Sequence, residues 1–236
     1  MNISIIILTF NSEKYLKEVL QSAAFADEVI VVDSGSKDNS IKIASTFKNV
    51  KLFHQAWLGF GKQKQFGVNQ AKNEWVFVLD SDEIITKELE EEIKNTLIKA
   101  EYKAYKVARL NFFFGKAIKR MGLYPDYNIR LFNKNYAKFD DREVHEAIIC
   151  QEKIGKLKHH FLHYAYENIE QFIDKQNKYS SLNPKKNNLL KALINPYWTF
   201  FKLYFIKLGF LEGKKGFIIA KLYAQYTFWK YIKSEI

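Results

Sequence analysis

Through the first eighty positions the apolar residues fall in short runs with little interruption: Ile3 to Leu8, Glu28 to Asp33 (EVIVVD), Val50 to Phe53 and Trp75 to Leu79. Runs of this kind, lacking the in-and-out alternation of a half-solvated strand, predict parallel strands covered on both faces. Between them the period lengthens to that of a helix. Tyr15, Leu16, Val19, Leu20 and Ala23 mark one helix over Glu13 to Ala24. A second begins near Ser36 or Asp38 and runs to about Phe47, and a third lies within Gly59 to Lys72. Strands alternating with helices in this order predict right-handed βαβ units and a mostly parallel sheet flanked by helices, an α/β fold.

After Asp82 the pattern continues with a helix capped by Thr86, whose early turns carry Glu88, Glu90, Glu91 and Glu92. Acids there suit the positive end of the helix dipole. Beyond residue 100 the chain breaks into extended pieces, Ala104 to Arg109, Asn111 to Phe114, Tyr127 to Phe132 and Gln151 to Tyr164, before a helix over Asn168 to Leu182. These predict antiparallel strands and loops that complete the sheet. From Pro196 onward two stretches, Tyr197 to Leu211 and Gly216 to Ile232, are apolar around most of a helical wheel. The expected organisation is the first half of an α/β domain over residues 1–100, the second half of the same domain over 101–183 and an amphipathic helical region over 184–236.

Charge changes the picture only at the end of the chain. The net charge is +11, and residues 184–236 carry ten lysines against two glutamates. Basic excess points to an anionic partner. The lysines sit among Phe and Leu rather than along a polar stripe, which favours a membrane surface over nucleic acid. Neither helical stretch reaches the roughly 18 uninterrupted apolar residues of a spanning segment. Aromatics interleaved with lysines instead suit helices lying in the membrane interface; a helical hairpin packed on the domain or on a second subunit is the alternative. A single cysteine, Cys150, excludes an intrachain disulfide. The opening Met1-Asn2-Ile3-Ser4 enters a strand at once, without a basic leader, and so predicts a protein that is not secreted.

The candidate chemistry lies at the strand ends. Thr9-Phe10-Asn11, Asp33 and Asp80-Ser81-Asp82 close three of the predicted strands. In a parallel sheet all three fall on the carboxyl edge, where open α/β sheets bind ligands. Strand alternation would point Asp80 and Asp82 to one face. Two hard oxygen donors so placed suit a divalent cation that also takes phosphate oxygens and water; the alternative is a turn whose acids cap the following helix. Asp33 could accept hydrogen bonds from a base or ribose. GxGxxG and GxxxxGK[ST] are both absent from the loops, which counts against a dinucleotide or P-loop site.

In this order and spacing LTFN, VVDSGSKD, KQFGVNQAKNEW and FVLDSDE resemble the family 2 glycosyltransferases of the GT-A (Rossmann-like) fold. The resemblance implies that residues 1–100 are the nucleotide-sugar-binding half and 101–183 the acceptor-binding half. It also implies that Thr9, Phe10, Asn11 and Asp33 hold uridine, that Asp80 approaches the ribose, that Ser81 belongs to the nucleotide-sugar site, and that Lys64 neutralises phosphate. Asp80 and Asp82 would bind Mg2+ or Mn2+ at the diphosphate, with His163 as a further ligand. Lys64-Gln65 stand where the family usually carries Arg-Asn. Residues 109–166, with RLNFFFGKAIKRMGLYPDYNIRLFNKN, DDREVHE and LHYAY, are similar to bacterial lipopolysaccharide inner-core β-glucosyltransferases. That narrower resemblance implies inverting transfer of glucose from UDP-glucose to a core heptose, peripherally on the inner face of the cytoplasmic membrane. Glu146, in its Val-His-Glu pattern, is the expected base, and Asp141 the second choice. A polyprenyl-phosphate sugar transferase and a non-catalytic membrane-associated nucleotide-binding protein are the competing readings. Arg109, Arg120 and Arg130 are expected either to hold acceptor phosphates or to form surface ion pairs.

Overall fold

The computed structural model describes residues 2–140, 147–182, 184–185 and 188–233. In chain order the elements are β1 (Ile3–Thr9), α1 (Glu13–Ser22), β2 (Glu28–Asp33), α2 (Ser40–Ala44), β3 (Val50–His54), α3 (Phe60–Gln70), β4 (Trp75–Asp80), β5 (Glu83–Ile85), α4 (Lys87–Ile98), β6 (Ala104–Phe113), β7 (Lys116–Ala117) and β8 (Asp126–Asn133). There follow β9 (Ala137–Phe139), β10 (Ile148–Cys150), β11 (Ile154–Tyr166), α5 (Ile169–Leu182), α6 (Leu189–Phe201) and α7 (Lys214–Ile232). Two compact units result, one of residues 1–109 and 126–163, the other of 110–125 and 164–236.

The main sheet has the strand order β3-β2-β1-β4-β8-β6-β11-β5. Its first four strands are parallel, as the apolar runs predict, and every residue of β1 and β2 is buried. From β4 the pairing turns antiparallel, with β8 set against β4 and β6 and with β5 against β11. The core on one face is built from Ile5, Ile7, Val29, Val31, Phe77 and Leu79 with α1 and α4; on the other face Ile6, Ile30, Val32 and Val78 meet Val68 of α3.

Helix α3 comes unusually close to the sheet at Gly67. A Cβ there would collide with the Ile6 side chain and press on Val32 Cγ2 at 3.1 Å. Both neighbours are β-branched and stiff. Overpacking of this kind costs about 1–3 kcal/mol, which outweighs the ~1 kcal/mol alanine gains over glycine in a helix. Gly67→Ala is therefore expected to lower the urea midpoint of unfolding with an unchanged m value.

Three sequence expectations change here. Asp80 is the last residue of β4 while Ser81 and Asp82 form a turn, so strand alternation is not what relates the two aspartates. The turn leads into β5, a strand too short for its pattern to announce. The pieces Ala104 to Arg109 and Asn111 to Phe114 are one strand, β6. Pro196 lies inside α6 rather than ahead of a helix.

In the second unit Phe113, Ile118, Met121, Tyr166, Phe172, Ile219 and Ala220 form the core, with Phe200, Leu203 and Tyr204 packed against it. After α6 the chain passes through a π-helical turn, Lys202–Ile206, and a 3-10 turn, Gly209–Glu212, into α7. Among the described residues no helix is long and apolar enough to cross a membrane.

Candidate active site

The parallel half of the sheet brings the strand ends together. Thr9 is the register partner of Asp33, and Leu8 of Asp80, so the carboxyl ends of β1, β2 and β4 lie side by side. The loops that leave them are laced to one another. The Asp33 carboxylate accepts from the Gly35 and Ser36 amides at 2.8 and 3.0 Å and from the Ser36 hydroxyl at 2.5 Å. Asn11, at φ +49°, donates its amide to Ser36 Oγ at 2.9 Å and accepts from the Lys37 amide at 2.8 Å. Asparagine tolerates this left-handed backbone better than most residues. Ser12 Oγ and Ser81 Oγ are 2.7 Å apart, tying the β1 loop to the turn that holds Asp82. Phe10 projects from the same edge, 60% exposed. Thr9 Oγ1 is buried without a hydrogen-bond partner among the described residues.

A row of opposite charges lies at the end of β4. Lys64 Nζ, nearly buried on α3, is 3.1 Å from Asp80 Oδ1, and Arg130 Nη2 from β8 is 3.6 Å from Asp80 Oδ2. Burial works against charge on Asp80, yet Lys64 and Arg130 together hold its carboxyl well below the usual carboxylate range. Glu83 is fully buried, accepts the Asp80 amide at 2.9 Å and takes Arg130 Nη2 at 2.6 Å. Its burial raises its pKa in spite of the arginine. Arg130 Nη1 donates to the Val78 carbonyl at 3.1 Å, and the guanidinium lies 5.0 Å from the Phe161 ring centre. Arg109 is held by Asp126 through Nε and Nη2 at 2.9 and 2.6 Å, with Nη1 3.9 Å from Glu83.

His163 completes the site from β11, where it pairs in register with Glu83 of β5. Its Nε2 is 3.5 Å from Asp82 Oδ2. The expected metal ligands thus reach one place, but not as a ready-made trio. Among the described residues no group of three His, Cys, Asp or Glu side chains is set to hold an ion. Asp80 is matched to Lys64 and Arg130, which leaves Asp82 and His163 as the facing pair. One carboxylate oxygen and one imidazole nitrogen are a fitting partial donor set for an ion that draws its other ligands from diphosphate and water.

The structure corrects the reading of Arg130, which is a buried cation paired with Glu83 rather than a surface ion pair. Arg109 pairs with Asp126 and Arg120 with Glu212, the ion-pair alternative. The expected bases Glu146 and Asp141 lie outside the described residues. Asp140 and Ala147, the described residues on either side, are hydrogen-bonded to each other. The Asp140 amide donates to the Ala147 carbonyl at 2.9 Å, and the Ala147 amide to Asp140 Oδ1 at 3.1 Å.

Two residues of the site carry no clear sequence signal. Glu83 reads as one more acid after Asp82, and only the pairing of β5 with β11 and the reach of Arg130 from β8 show it to be the buried partner of that arginine. Gln63 is fully buried, donates to Ser34 Oγ and the Gln55 carbonyl at 3.0 and 2.9 Å, and accepts the Leu58 amide at 3.2 Å. Its signal is faint: it lies four residues before Gly67, on the face of α3 that meets the sheet.

A sheet whose first four strands are parallel, with a laced carboxyl edge and an aspartate turn, defines an α/β protein of the GT-A fold. Staphylococcus aureus TarS 1–349, crystallised in complex with UDP-GlcNAc, shares that fold with a TM-score of 0.52 at 19% identity, over 99% of this chain and 90% of that one. The chain belongs to glycosyl transferase family 2, whose model matches residues 4–157. An uncharacterized glycosyltransferase of Rickettsia typhi is 31% identical over 94% of this chain and 82% of its own length. The lipopolysaccharide core biosynthesis glycosyltransferase LpsC of Rhizobium meliloti is 28% identical over 96% of this chain and 89% of its own.

Proposed function

We propose that this glycosyltransferase moves glucose from UDP-glucose, with inversion and with Mg2+ or Mn2+, onto a heptose of the lipopolysaccharide inner core. The observation that carries the reading is the single edge on which Thr9, Asp33, Lys64, Asp80, Asp82 and His163 meet. The likeness to LpsC over nearly the whole chain supports the acceptor class, and the UDP-GlcNAc complex of TarS supports a UDP-sugar donor.

In this reading the Asn11 and Asp33 loops cradle the uridine, with Phe10 available to pack on the base and Thr9 Oγ1 supplied with a polar partner. Asp33 acts mainly through the turn it shapes, since its carboxylate already holds Gly35 and Ser36. Asp80 and Ser81 border the ribose, and Lys64, once donor is bound, divides its charge between Asp80 and phosphate. Asp82 and His163 would hold the metal, which when bound supplies positive charge to the departing diphosphate. Glu146 takes the proton of the acceptor hydroxyl as that oxygen attacks the anomeric carbon from the face opposite UDP.

The working place in this reading is the inner face of the cytoplasmic membrane, held peripherally. Leu189, Leu190, Leu193 and Ile194 stand exposed along α6, which is what a lipid-linked acceptor or a membrane surface would cover. The same exposure favours a second reading, in which the acceptor is a polyprenyl phosphate.

UDP release from a panel of UDP-sugars, with Mn2+ or with EDTA and heptose-containing core lipid as acceptor, tests the proposal. Metal-dependent release with UDP-glucose is the expected result. No release with any donor from folded protein overturns it. Glu146→Gln separates the two acceptors: a fall of about 10²–10⁴-fold is expected for a sugar hydroxyl that needs a general base. Unchanged turnover would instead mean an acceptor already ionised, as a lipid phosphate is.

A further inference from the structure

The link between α6 and α7 is a tightly held elbow that nonetheless turns apolar side chains outward. Leu208 sits at φ +58° and ψ +31°, in the left-handed region that favours glycine, between the π-helical turn and the 3-10 turn. The conformation is imposed by its surroundings. The Met121 amide donates to the Lys207 carbonyl at 2.8 Å, and Gly216 of α7 lies so close to the Gly209 carbonyl that a Cβ would collide with it. Glu212, buried, takes Lys116 Nζ at 2.9 Å and the Lys119 amide at 3.2 Å, with Arg120 Nη1 at 3.7 Å. Despite this anchoring Leu208, Phe210 and Leu211 remain 45, 44 and 51% exposed.

Among the described residues, the exposed charges on the segments that meet at this apolar tip are of one sign. Lys119, Arg120, Lys202, Lys207 and Lys214 are exposed on the segments that meet there. The acid of the cluster, Glu212, is buried beneath it. A backbone strained to present leucine and phenylalanine inside a collar of cations is the pattern of an element that dips into the interface of an anionic bilayer. A site for a protein partner would more commonly be rimmed by both signs of charge.

We propose that the elbow over residues 202–214 is the point at which this protein enters an anionic lipid surface. Leu208, Phe210 and Leu211 seat at the boundary of the acyl chains, while the surrounding lysines and Arg120 meet lipid phosphates. This rests on the peripheral-membrane reading above and deepens it by assigning the insertion to the elbow rather than to the flank of α6.

The experiment is co-sedimentation of the full chain with vesicles of phosphatidylcholine alone or mixed with phosphatidylglycerol, at low and high salt. Wild type is expected to bind the anionic vesicles and to release at high salt. Leu208→Gly, which relieves the left-handed backbone, is expected to keep or raise the melting temperature yet bind more weakly. Phe210→Ser with Leu211→Ser is expected to lose at least tenfold in affinity, and Leu190→Ser with Leu193→Ser on α6 much less. If the α6 pair abolishes binding and the elbow pair does not, the elbow assignment is wrong and the membrane reading stands. Equal binding to neutral vesicles overturns the role of the cations. If wild type binds no vesicle, the membrane reading itself fails; a dimer dissociated by the elbow pair would then assign the tip to a second copy of the chain.

Discussion

Asp82→Ala is expected to lower UDP-glucose-dependent transfer by about 10³-fold, equivalent to about 4 kcal/mol of transition-state stabilisation, with no loss of fold. Asp82 faces His163 across 3.5 Å and is about one-third exposed, and it lies on a turn rather than in the core. Substitutions at such positions usually move stability by no more than about 0.5 kcal/mol. Asp80 is the poorer probe, because its removal would also take from Lys64 and Arg130 the carboxylate they share. The measurement is single-turnover transfer at saturating donor across a Mn2+ titration, beside a thermal melt. A variant that retains wild-type turnover would remove Asp82 from the metal site. A variant that regains rate at high Mn2+ would place the defect in ion affinity, as the Asp82–His163 pair requires.

Arg130→Met is expected to destabilise the fold by about 3–5 kcal/mol, the usual cost of leaving one member of a buried ion pair without its partner. Arg130 and Glu83 are both almost wholly buried and 2.6 Å apart. The arginine also supplies the Val78 carbonyl and its charge helps keep Asp80 ionised. Replacing both members, Arg130→Met with Glu83→Leu, is expected to recover a substantial part of that loss, since well-packed apolar pairs often match buried ion pairs in stability. Urea denaturation of the two single variants and the double variant gives the coupling. Additive losses would mean that the pair is not a unit. Activity is expected to stay low in the double variant even where stability returns, because Asp80 would still lack one of its two cations.

Much of the site was legible because it depends on local chemistry. An apolar run ending in Thr9-Phe10-Asn11, in Asp33 or in Asp80 marks a buried strand with a polar exit. Parallel pairing then aligns those exits without further information. Asp33 was legible as the polar exit of a strand, but its hydrogen bonds to Gly35 and Ser36, which make it the keystone of a turn, were not. The burial of Arg130 was not legible. Nothing around Arg130 in the chain marks it as buried, and its partner Glu83 is 47 positions away. A one-residue change of register on β8 would turn it to the other face of the sheet.

The sequence by itself determined the βαβ half and the carboxyl edge where the family motifs lie, because strand burial, turn residues and helix caps act over a few positions; the order of the strands in the sheet came from the fold. Tertiary structure alone decided which charges neutralise which. It set Arg130 beneath Asp80, buried Glu83 between them, brought His163 from the far strand β11 to Asp82, and strained Leu208 outward at the elbow. The physical reason is that the energy of a buried charge depends on the partners it meets and on its distance from water. Both are properties of the packed fold that no local stretch of chain carries.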